Sequence, residues 1–278
     1  MDRRTVLALA AAGLAGCGST QPSEDTASPD ATDSPTETRA AGAELSVVGL
    51  DAPETVEVTT PYQFGVRVRN PTDAPGRFES GLSARAGGDW QSLDASVSGQ
   101  VPAGETARLA GRLPGFAFLG SYDLRLDATG RTWSVESVPR ELSFGEAFGT
   151  PRGLSVAVLG GRFASTYTGG GNGSARTPPP DGQWVVVRVQ IRNPTGGPIQ
   201  FPPYGAFVLV VDGQRYPVAV ANADEPVTVD GDQTRIELPY VVPAGTDSST
   251  LAVRWEATVG GRRTGAVWSS SSSSSPST

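Results

Sequence analysis

Residues 62–69 read Tyr62-Gln63-Phe64-Gly65-Val66-Arg67-Val68-Arg69, in which apolar residues alternate with polar residues and glycine. A two-residue period is typical of a β-strand that buries one face and exposes the other. Asn70-Pro71-Thr72 follows, and proline ends ladder pairing because it has no amide hydrogen to donate. The stretch therefore predicts a half-buried strand that ends in a turn.

The same pattern returns later in the chain. Residues 189–195 read Val189-Gln190-Ile191-Arg192-Asn193-Pro194-Thr195, again a strand that ends at Asn-Pro-Thr. Downstream of each strand lies a Val-Pro-Ala-Gly segment, at 101–104 and at 242–245. Two landmarks in the same order favour a tandem duplication. We place its boundary between Pro139 and Phe144.

The rest of the chain also predicts strands. Short alternating segments are separated by glycine and proline, and Asp212-Gly213 is typical of a tight hairpin turn. No segment after the first seventeen residues has a convincing helical period. The predicted fold class is all-β, with two tandem immunoglobulin-like β-sandwiches at 43–142 and 143–268, after a signal peptide and a disordered linker.

The N-terminus predicts export and lipid attachment. Arg3 and Arg4 precede an apolar run that is too short to span a bilayer, which is typical of a twin-arginine signal peptide covering residues 1–16. The run ends in Leu14-Ala15-Gly16-Cys17, which resembles a lipobox. We expect Cys17, the only cysteine, to be the lipid-bearing first residue of the mature protein. The alternative is an ordinary signal peptide cut among these small residues.

Two segments have almost nothing to bury. Residues 17–42 are rich in Ser, Thr, Pro, Asp and Glu, and residues 269–278 are mostly serine. Such segments cannot offset the entropy lost on ordering. We expect a disordered acidic linker that holds the sandwiches away from the membrane, and a disordered tail.

Composition narrows the possible chemistry. The chain has no His and no Lys, so all 22 basic residues are Arg, and its formal charge is −7 with a pI near 4.8. This composition favours a salt-loving archaeal source, since exposed carboxylates keep a protein solvated at high salt. The sequence shows no basic cluster, so we expect no positive face and no nucleic-acid partner.

A resemblance to known modules rests on structural motifs. Residues 62–127, with strand-Asn-Pro-Thr, Val-Pro-Ala-Gly and Tyr122-Asp123-Leu124-Arg125-Leu126, resemble the immunoglobulin-like, cell-adhesion-related modules of prokaryotic surface proteins. Residues 144–257 resemble the uncharacterised immunoglobulin-like domains that follow a lipobox in many prokaryotic lipoproteins. The lipoprotein resemblance implies a diacylglyceryl thioether on Cys17, whose two chains anchor stably. It implies no catalytic residues. The loop at 169–180 is longer than the pattern requires.

Most catalytic devices are excluded by the residues themselves. Without His or Lys there is no Ser-His-Asp triad, Cys-His pair, His-ligated zinc site, P-loop or pyridoxal Schiff base. A pair of carboxylates of the glycosidase type remains formally open. We expect no enzyme activity and no cofactor.

Three features are candidate sites. Four carboxylates within nine residues form either a weak calcium candidate, since oxygen ligands suit that ion, or a solvated acidic loop; these are Asp224, Glu225, Asp230 and Asp232. Asn172-Gly173-Ser174 is a usable glycosylation sequon. Among the tryptophans, Trp133, Trp184 and Trp255 fall on strand patterns and are expected in the core. Trp90 and Trp268 are the freer candidates for a carbohydrate platform.

The resulting hypothesis is a lipid-anchored, non-enzymatic protein on the extracellular face of the cell membrane. Its partner would be a protein or a glycan at the cell surface. One alternative is an accessory scaffold lipoprotein of a membrane or envelope complex. A less favoured alternative is an extracellular hydrolase that uses paired carboxylates.

Overall fold

The computed structural model describes residues 45–169, 175–219 and 223–270. Arg3, Arg4, the lipobox, Cys17, the linker and Asn172 lie outside this range, as does the serine tail after Ser270. The strands are β1 (Ser46–Asp51), β2 (Thr55–Glu57), β3 (Tyr62–Arg69), β4 (Gly76–Arg85), β5 (Gln91–Val101), β6 (Thr106–Leu113), β7 (Gly120–Leu126), β8 (Thr132–Val138), β9 (Arg140–Ser143), β10 (Ala147–Gly149), β11 (Ser155–Ala164), β12 (Gly182–Arg192), β13 (Ile199–Phe201), β14 (Phe207–Val211), β15 (Gln214–Pro217), β16 (Val227–Val229), β17 (Gln233–Pro243), β18 (Leu251–Val259) and β19 (Arg262–Ser269). Single turns of 3-10 helix cover Tyr204–Ala206 and Ser248–Thr250.

The first sandwich packs a three-stranded sheet, β1-β3-β6, against a five-stranded sheet, β2-β8-β7-β4-β5. On β3 the side chains alternate as the sequence predicts, with Tyr62 and Val68 buried and Arg67 and Arg69 exposed. Tyr122 at the start of β7 donates from Oη to the carbonyl of Phe118 at 3.0 Å, a bond of the tyrosine-corner type found in immunoglobulin-like folds.

The second sandwich packs a four-stranded sheet, β10-β11-β12-β17, against a five-stranded sheet, β15-β14-β18-β19-β9. Its centre is Trp255, which is fully buried and contacts the rings of Phe148, Phe201 and Phe207 at centroid distances of 5.8, 5.9 and 6.1 Å. The all-β, sandwich-type fold class is therefore confirmed. Within residues 45–169, 175–219 and 223–270, no helix is long and apolar enough to cross a membrane.

Each Asn-Pro-Thr segment forms the same buried corner. Asn70 is fully buried, donates from Nδ2 to the carbonyls of Ala74 and Val101 at 2.8 and 3.0 Å, and accepts from the N–H and Oγ1 of Thr72. One amide side chain thus satisfies the hydrogen bonds of four groups at a buried position that water does not reach. The corner joins the end of β3 to the end of β5.

Asn193 repeats this network in the second sandwich. Its Nδ2 donates to the carbonyls of Gly197 and Val229 at 2.7 and 3.3 Å, and its Oδ1 accepts from the N–H and Oγ1 of Thr195. The corner here joins the end of β12 to the end of β16. The two sandwiches therefore share their Asn-Pro-Thr landmark in structure as well as in sequence.

The second sequence landmark is not equivalent in the two sandwiches. In the first sandwich the carbonyl of Val101 accepts a hydrogen bond from Asn70 Nδ2. In the second sandwich the carbonyl that accepts from Asn193 Nδ2 belongs to Val229, so Val229 and not Val242 is the counterpart of Val101. Val242 lies near the end of β17, one strand further along the fold. The Val-Pro-Ala-Gly repeat is therefore a coincidence of turn chemistry, and we correct that part of the prediction.

The chain passes from one sandwich to the other at Pro139. β8 ends at Val138 and pairs with the first sandwich, whereas β9 begins at Arg140 and pairs in parallel with β19 of the second. The segment 140–142, which the sequence prediction assigned to the first sandwich, thus contributes a strand to the second. β19 extends to Ser269, so that residue belongs to the sheet and not to the predicted tail.

The two sandwiches touch through the tip of the β18–β19 hairpin. Val58, in the loop after β2, is fully buried in the core cluster of the second sandwich. The guanidinium of Arg262 lies 4.4 Å from the ring centroid of Phe118, and its Nη2 donates to Tyr122 Oη at 2.7 Å. Leu119 N–H donates to the carbonyl of Arg263 at 2.7 Å.

We expect residues 43–139 and 140–270, expressed separately, each to give a β-type circular dichroism spectrum and a cooperative melt, because each piece has its own core. Each should melt below the whole chain, since Val58 and Arg262 lose their partners. As a matched control, a second piece that begins at residue 143 lacks the first three residues of β9 and should melt lower still. If neither piece melts cooperatively while the whole chain does, the two halves are one interleaved domain.

Candidate functional site

The second sandwich differs from the first at one hairpin. In the first sandwich, β4 and β5 form one ladder from Gly76 opposite Val101 to Ala84 opposite Gln91, with a register shift between Gly81 and Leu82. In the second, the same place is taken by two short ladders, β13–β16 and β14–β15. β13 ends at Phe201 and β14 begins at Phe207, and β15 ends at Pro217 and β16 begins at Val227. The second hairpin is therefore interrupted on both of its arms.

Local sequence explains the first interruption. Pro202 and Pro203 follow β13, and proline cannot donate to a ladder. The chain then makes the 3-10 turn at Tyr204–Ala206, and the N–H of Gly205 donates to the carbonyl of Ala223 at 2.6 Å. A β carbon on Gly205 would stand 2.9 Å from Asp224 Oδ1, so a side chain there would push the two arms apart.

A cavity of about 490 Å³ lies at the interruption and opens to solvent. This volume falls in the range of ligand-binding clefts. Its lining includes Phe201, Pro202, Pro203 and Pro226, together with the continuous run Glu256–Val259 of β18. A second cavity of about 350 Å³ shares Gly205, Ala206 and Glu256 with the first. We call the two together the hairpin cleft.

The Glu256–Val259 wall is an unpaired strand edge. β14 pairs with β18 only as far as Phe207 opposite Trp255, and among the described residues no strand continues along that side. The carbonyl of Arg263, opposite Thr258, is bonded to Leu119 N–H and so points away from β18. Thr258 and Arg263 therefore form a non-hydrogen-bonded pair, and the N–H and C=O of Thr258 point into the cleft.

Glu256 is the fixed charge of the cleft. Arg254 Nε donates to its carboxylate at 2.6 Å, and Arg263 Nη2 donates to the other oxygen. Burial by itself raises the pKa of Glu256, but the hydrogen bonds and charges of Arg263 and Arg254 outweigh it and hold the pKa below its usual range. The carboxylate stays ionised, whereas a general acid needs a raised pKa.

The structure separates the four carboxylates of the calcium candidate. Asp224 and Glu225 precede β16, whereas Asp230 and Asp232 follow it, and all four are exposed. Three residues of extended strand put about 10 Å between the two pairs. Within the described part of the chain, no three acidic or thiol side chains form a group that could hold a metal ion. Asp224 instead lines the hairpin cleft.

The tryptophans divide differently from the prediction. Trp184 and Trp255 are buried as expected, and Trp133 packs half-buried against the first core. Trp268 is fully buried and donates from Nε1 to the carbonyl of Glu146 at 2.9 Å, so its assignment as a free platform is wrong. Side chains on a β-strand alternate between its two faces, and on β19 Trp268 faces the core whereas Val267 and Ser269 lie on the other face.

Trp90 is engaged by arginine. The guanidinium groups of Arg85 and Arg125 lie 4.7 and 4.6 Å from its ring centroid, close enough for cation–π attraction. Arg85 is also bonded to Asp123 at 2.9 Å, and hydrogen bonds from Ser134 and Arg85 lower the pKa of that carboxyl. A sugar ring would have to displace these groups, so Trp90 is not a free carbohydrate platform.

The expectation of no positive face is wrong for the first sandwich. The outer face of β1-β3-β6 carries four exposed arginines and one acidic residue, Asp51; the arginines are Arg67, Arg69, Arg108 and Arg112. This arginine face is not visible in the sequence, because its four arginines alternate with buried residues on two separate strands. The basic side chains meet only when β3 pairs with β6.

Comparisons with solved structures give weak similarities. The yjhA protein from Bacillus subtilis is 14% identical, with a TM-score of 0.33, over 46% of this chain and 97% of its own. An uncharacterized beta-sandwich protein from Clostridium difficile 630 is 11% identical, with a TM-score of 0.31, over 48% and 95%. Red sea bream transglutaminase is 14% identical, with a TM-score of 0.32, over 82% of this chain and 31% of its own. No protein family and no curated protein matches the sequence. Similarity at this level assigns no function to the chain.

Proposed function

We propose that this chain is a non-catalytic binding protein of the cell surface, anchored by lipid on Cys17, which takes an extended peptide of a partner protein into the hairpin cleft. The observation that carries the proposal is the unpaired edge of β18, which forms one wall of the cavity. A β-sandwich is compatible with such a binding role. The location outside the membrane follows from the signal and lipobox pattern in the sequence.

The cleft suits a strand-shaped ligand. An extended peptide that lies beside Glu256–Val259 takes the place that a neighbouring strand would occupy, and main-chain hydrogen bonds supply affinity. Thr258 offers one N–H and one C=O to such a peptide. The lining also contains three prolines, which have no amide hydrogen and so cannot donate to the carbonyl of Thr258. The cavity over Phe201 and Ala257 would receive alternate side chains of the ligand.

The charges of the cleft argue for binding without catalysis. Glu256 is held by two arginines, so it lacks the protonated carboxyl that a glycosidase general acid requires. The sequence supplies no histidine or lysine to act in its place. Glu256 therefore does not supply the general acid that a carboxylate-dependent hydrolase would need in this cleft.

We expect replacement of Thr258 by proline to weaken peptide binding at least tenfold, because proline removes the amide that points into the cleft. The fold should survive, since that amide takes no part in pairing with β19. Residues 43–270 would be used to select binders from a displayed library of random twelve-residue peptides. Their affinities for the wild type, Thr258→Pro and the matched control Thr258→Ala, which keeps the amide, would then be measured.

Binding by Thr258→Ala within twofold of wild type, with loss in Thr258→Pro and unchanged melts, supports strand addition. Equal binding by all three variants, or a library that yields no binder, contradicts it.

A further inference from the structure

We propose that the arginine face of the first sandwich is a second binding surface, and that it takes an acidic polysaccharide whose sugar rings carry carboxylates. This surface lies on a different sheet from the hairpin cleft and on the other sandwich. Its proposed role does not depend on the peptide site.

The four arginines form a patterned array. Arg67 stands directly opposite Arg108 across the β3–β6 ladder. Arg69 lies beyond this pair on β3, and Arg112 lies beyond it on β6, opposite Gln63. Residues 63 and 69 are six positions apart on one strand, so the array extends about 20 Å along the sheet. A straight polymer with repeated acidic groups matches an array of this shape.

Two glycines make the floor of the array flat. A β carbon on Gly49 would stand 2.5 Å from Arg67 Nε, and one on Gly65 would stand 2.6 Å from Arg108 Nε. The guanidinium groups therefore lie over bare backbone, with no side chain beneath to tilt them. A planar guanidinium offers paired donors to a carboxylate, which a lysine ammonium cannot do.

The positive charge of the face is largely unneutralised. Asp51 is shared, at 3.4 Å from Arg67 Nη2 and 3.3 Å from Arg108 Nε. Arg69 and Arg112 make no ion pair with any described residue. Although the chain has a formal charge of −7, this face is locally positive and attracts anions.

The surroundings favour a glycan over a nucleic acid. The outward positions of β1, β3 and β6 carry no aromatic side chain on which a base could stack. They do carry Ser46, Gln63 and Thr106, whose side chains donate and accept hydrogen bonds as sugar hydroxyls require.

Alginate oligomers, which bear one carboxylate per ring, are a suitable probe. Their affinity for residues 43–270 would be measured at 0.15 M salt, where the Debye length is about 8 Å and close contacts survive. We expect Arg69→Gln/Arg112→Gln to weaken binding about tenfold. Replacing these two arginines breaks no ion pair with a described residue. The matched control, Arg131→Gln/Arg176→Gln, removes the same charge from exposed positions outside the arginine face and should bind within twofold of wild type.

Four outcomes would overturn the proposal. One is the absence of alginate binding by the wild-type protein. Another is an equal loss of affinity in Arg131→Gln/Arg176→Gln, which would indicate net charge alone. The third is equally tight binding of polyglutamate or single-stranded DNA, which would indicate a general polyanion surface. Neutral dextran should not bind, and dextran binding would also count against a carboxylate-directed site.

Discussion

Replacement of Asn193 by aspartate is expected to destabilise the second sandwich by about 3 to 5 kcal/mol at neutral pH, as for other unpaired buried charges. Aspartate has the shape of asparagine and still accepts from the N–H and Oγ1 of Thr195. Its second oxygen, however, faces the carbonyls of Gly197 and Val229, where Nδ2 now donates. The carboxylate oxygen and these two carbonyl oxygens then lie together in a buried corner, with no hydrogen between them to donate.

The loss of stability in Asn193→Asp should grow as the pH rises. Burial and the facing carbonyls raise the pKa of the new carboxyl in the folded state above its unfolded value of about 3.9. Below that value both states hold the proton and the penalty is small. Above it the unfolded state ionises first, so stability falls until the pH passes the folded-state pKa. Urea unfolding between pH 4 and pH 8, at 25 °C, measures this slope.

Two controls separate charge from packing. Asn193→Ala should cost about 1 to 3 kcal/mol, through unsatisfied backbone groups, with no added dependence on pH. Asn70→Asp should reproduce the pH dependence in the first sandwich, since Asn70 makes the same four bonds. A flat pH profile for both aspartate variants would show that the two corners are open to water and not buried.

Replacement of Cys17 by serine is expected to move nearly all of the protein from the membrane fraction into the soluble fraction, or to leave an uncut precursor. A serine hydroxyl cannot form the thioether, so both lipid chains are lost together. The measurement is fractionation of cells that express the full chain, with the mature N-terminus read by mass spectrometry. Ser19→Ala, two residues further along the chain, is the matched control and should remain in the membrane. A Cys17→Ser protein that is processed and retained like wild type would exclude the lipid anchor.

The strand pattern and the buried corners could be predicted from the sequence because both depend on local spacing. Alternation along 62–69 identifies which side chains of β3 face the core, and Asn-Pro-Thr recurs in the same place in both sandwiches. The two Val-Pro-Ala-Gly segments are not equivalent landmarks, because any tight turn with a glycine at positive φ favours such residues. Gly104 and Gly245 both have positive φ, yet they lie at different places in the fold.

The hairpin cleft and the arginine face could not be predicted, because each depends on pairing between distant segments. Pro202-Pro203 shows that a strand stops but not that Glu256–Val259 is left without a neighbour. Arg67 and Arg108 meet only through the β3–β6 register. The same holds for the contact between Arg262 and Phe118, which joins residues far apart in the chain.

The unpaired edge of β18 is the place where we expect a peptide strand to bind. Amide hydrogen exchange on residues 43–270, with and without a peptide selected from the library, tests it most directly. We predict slower exchange at Thr258, with the largest change in the segment Glu256–Val259. Protection at the outer strands β1 or β15, with none at Glu256–Val259, would contradict the account.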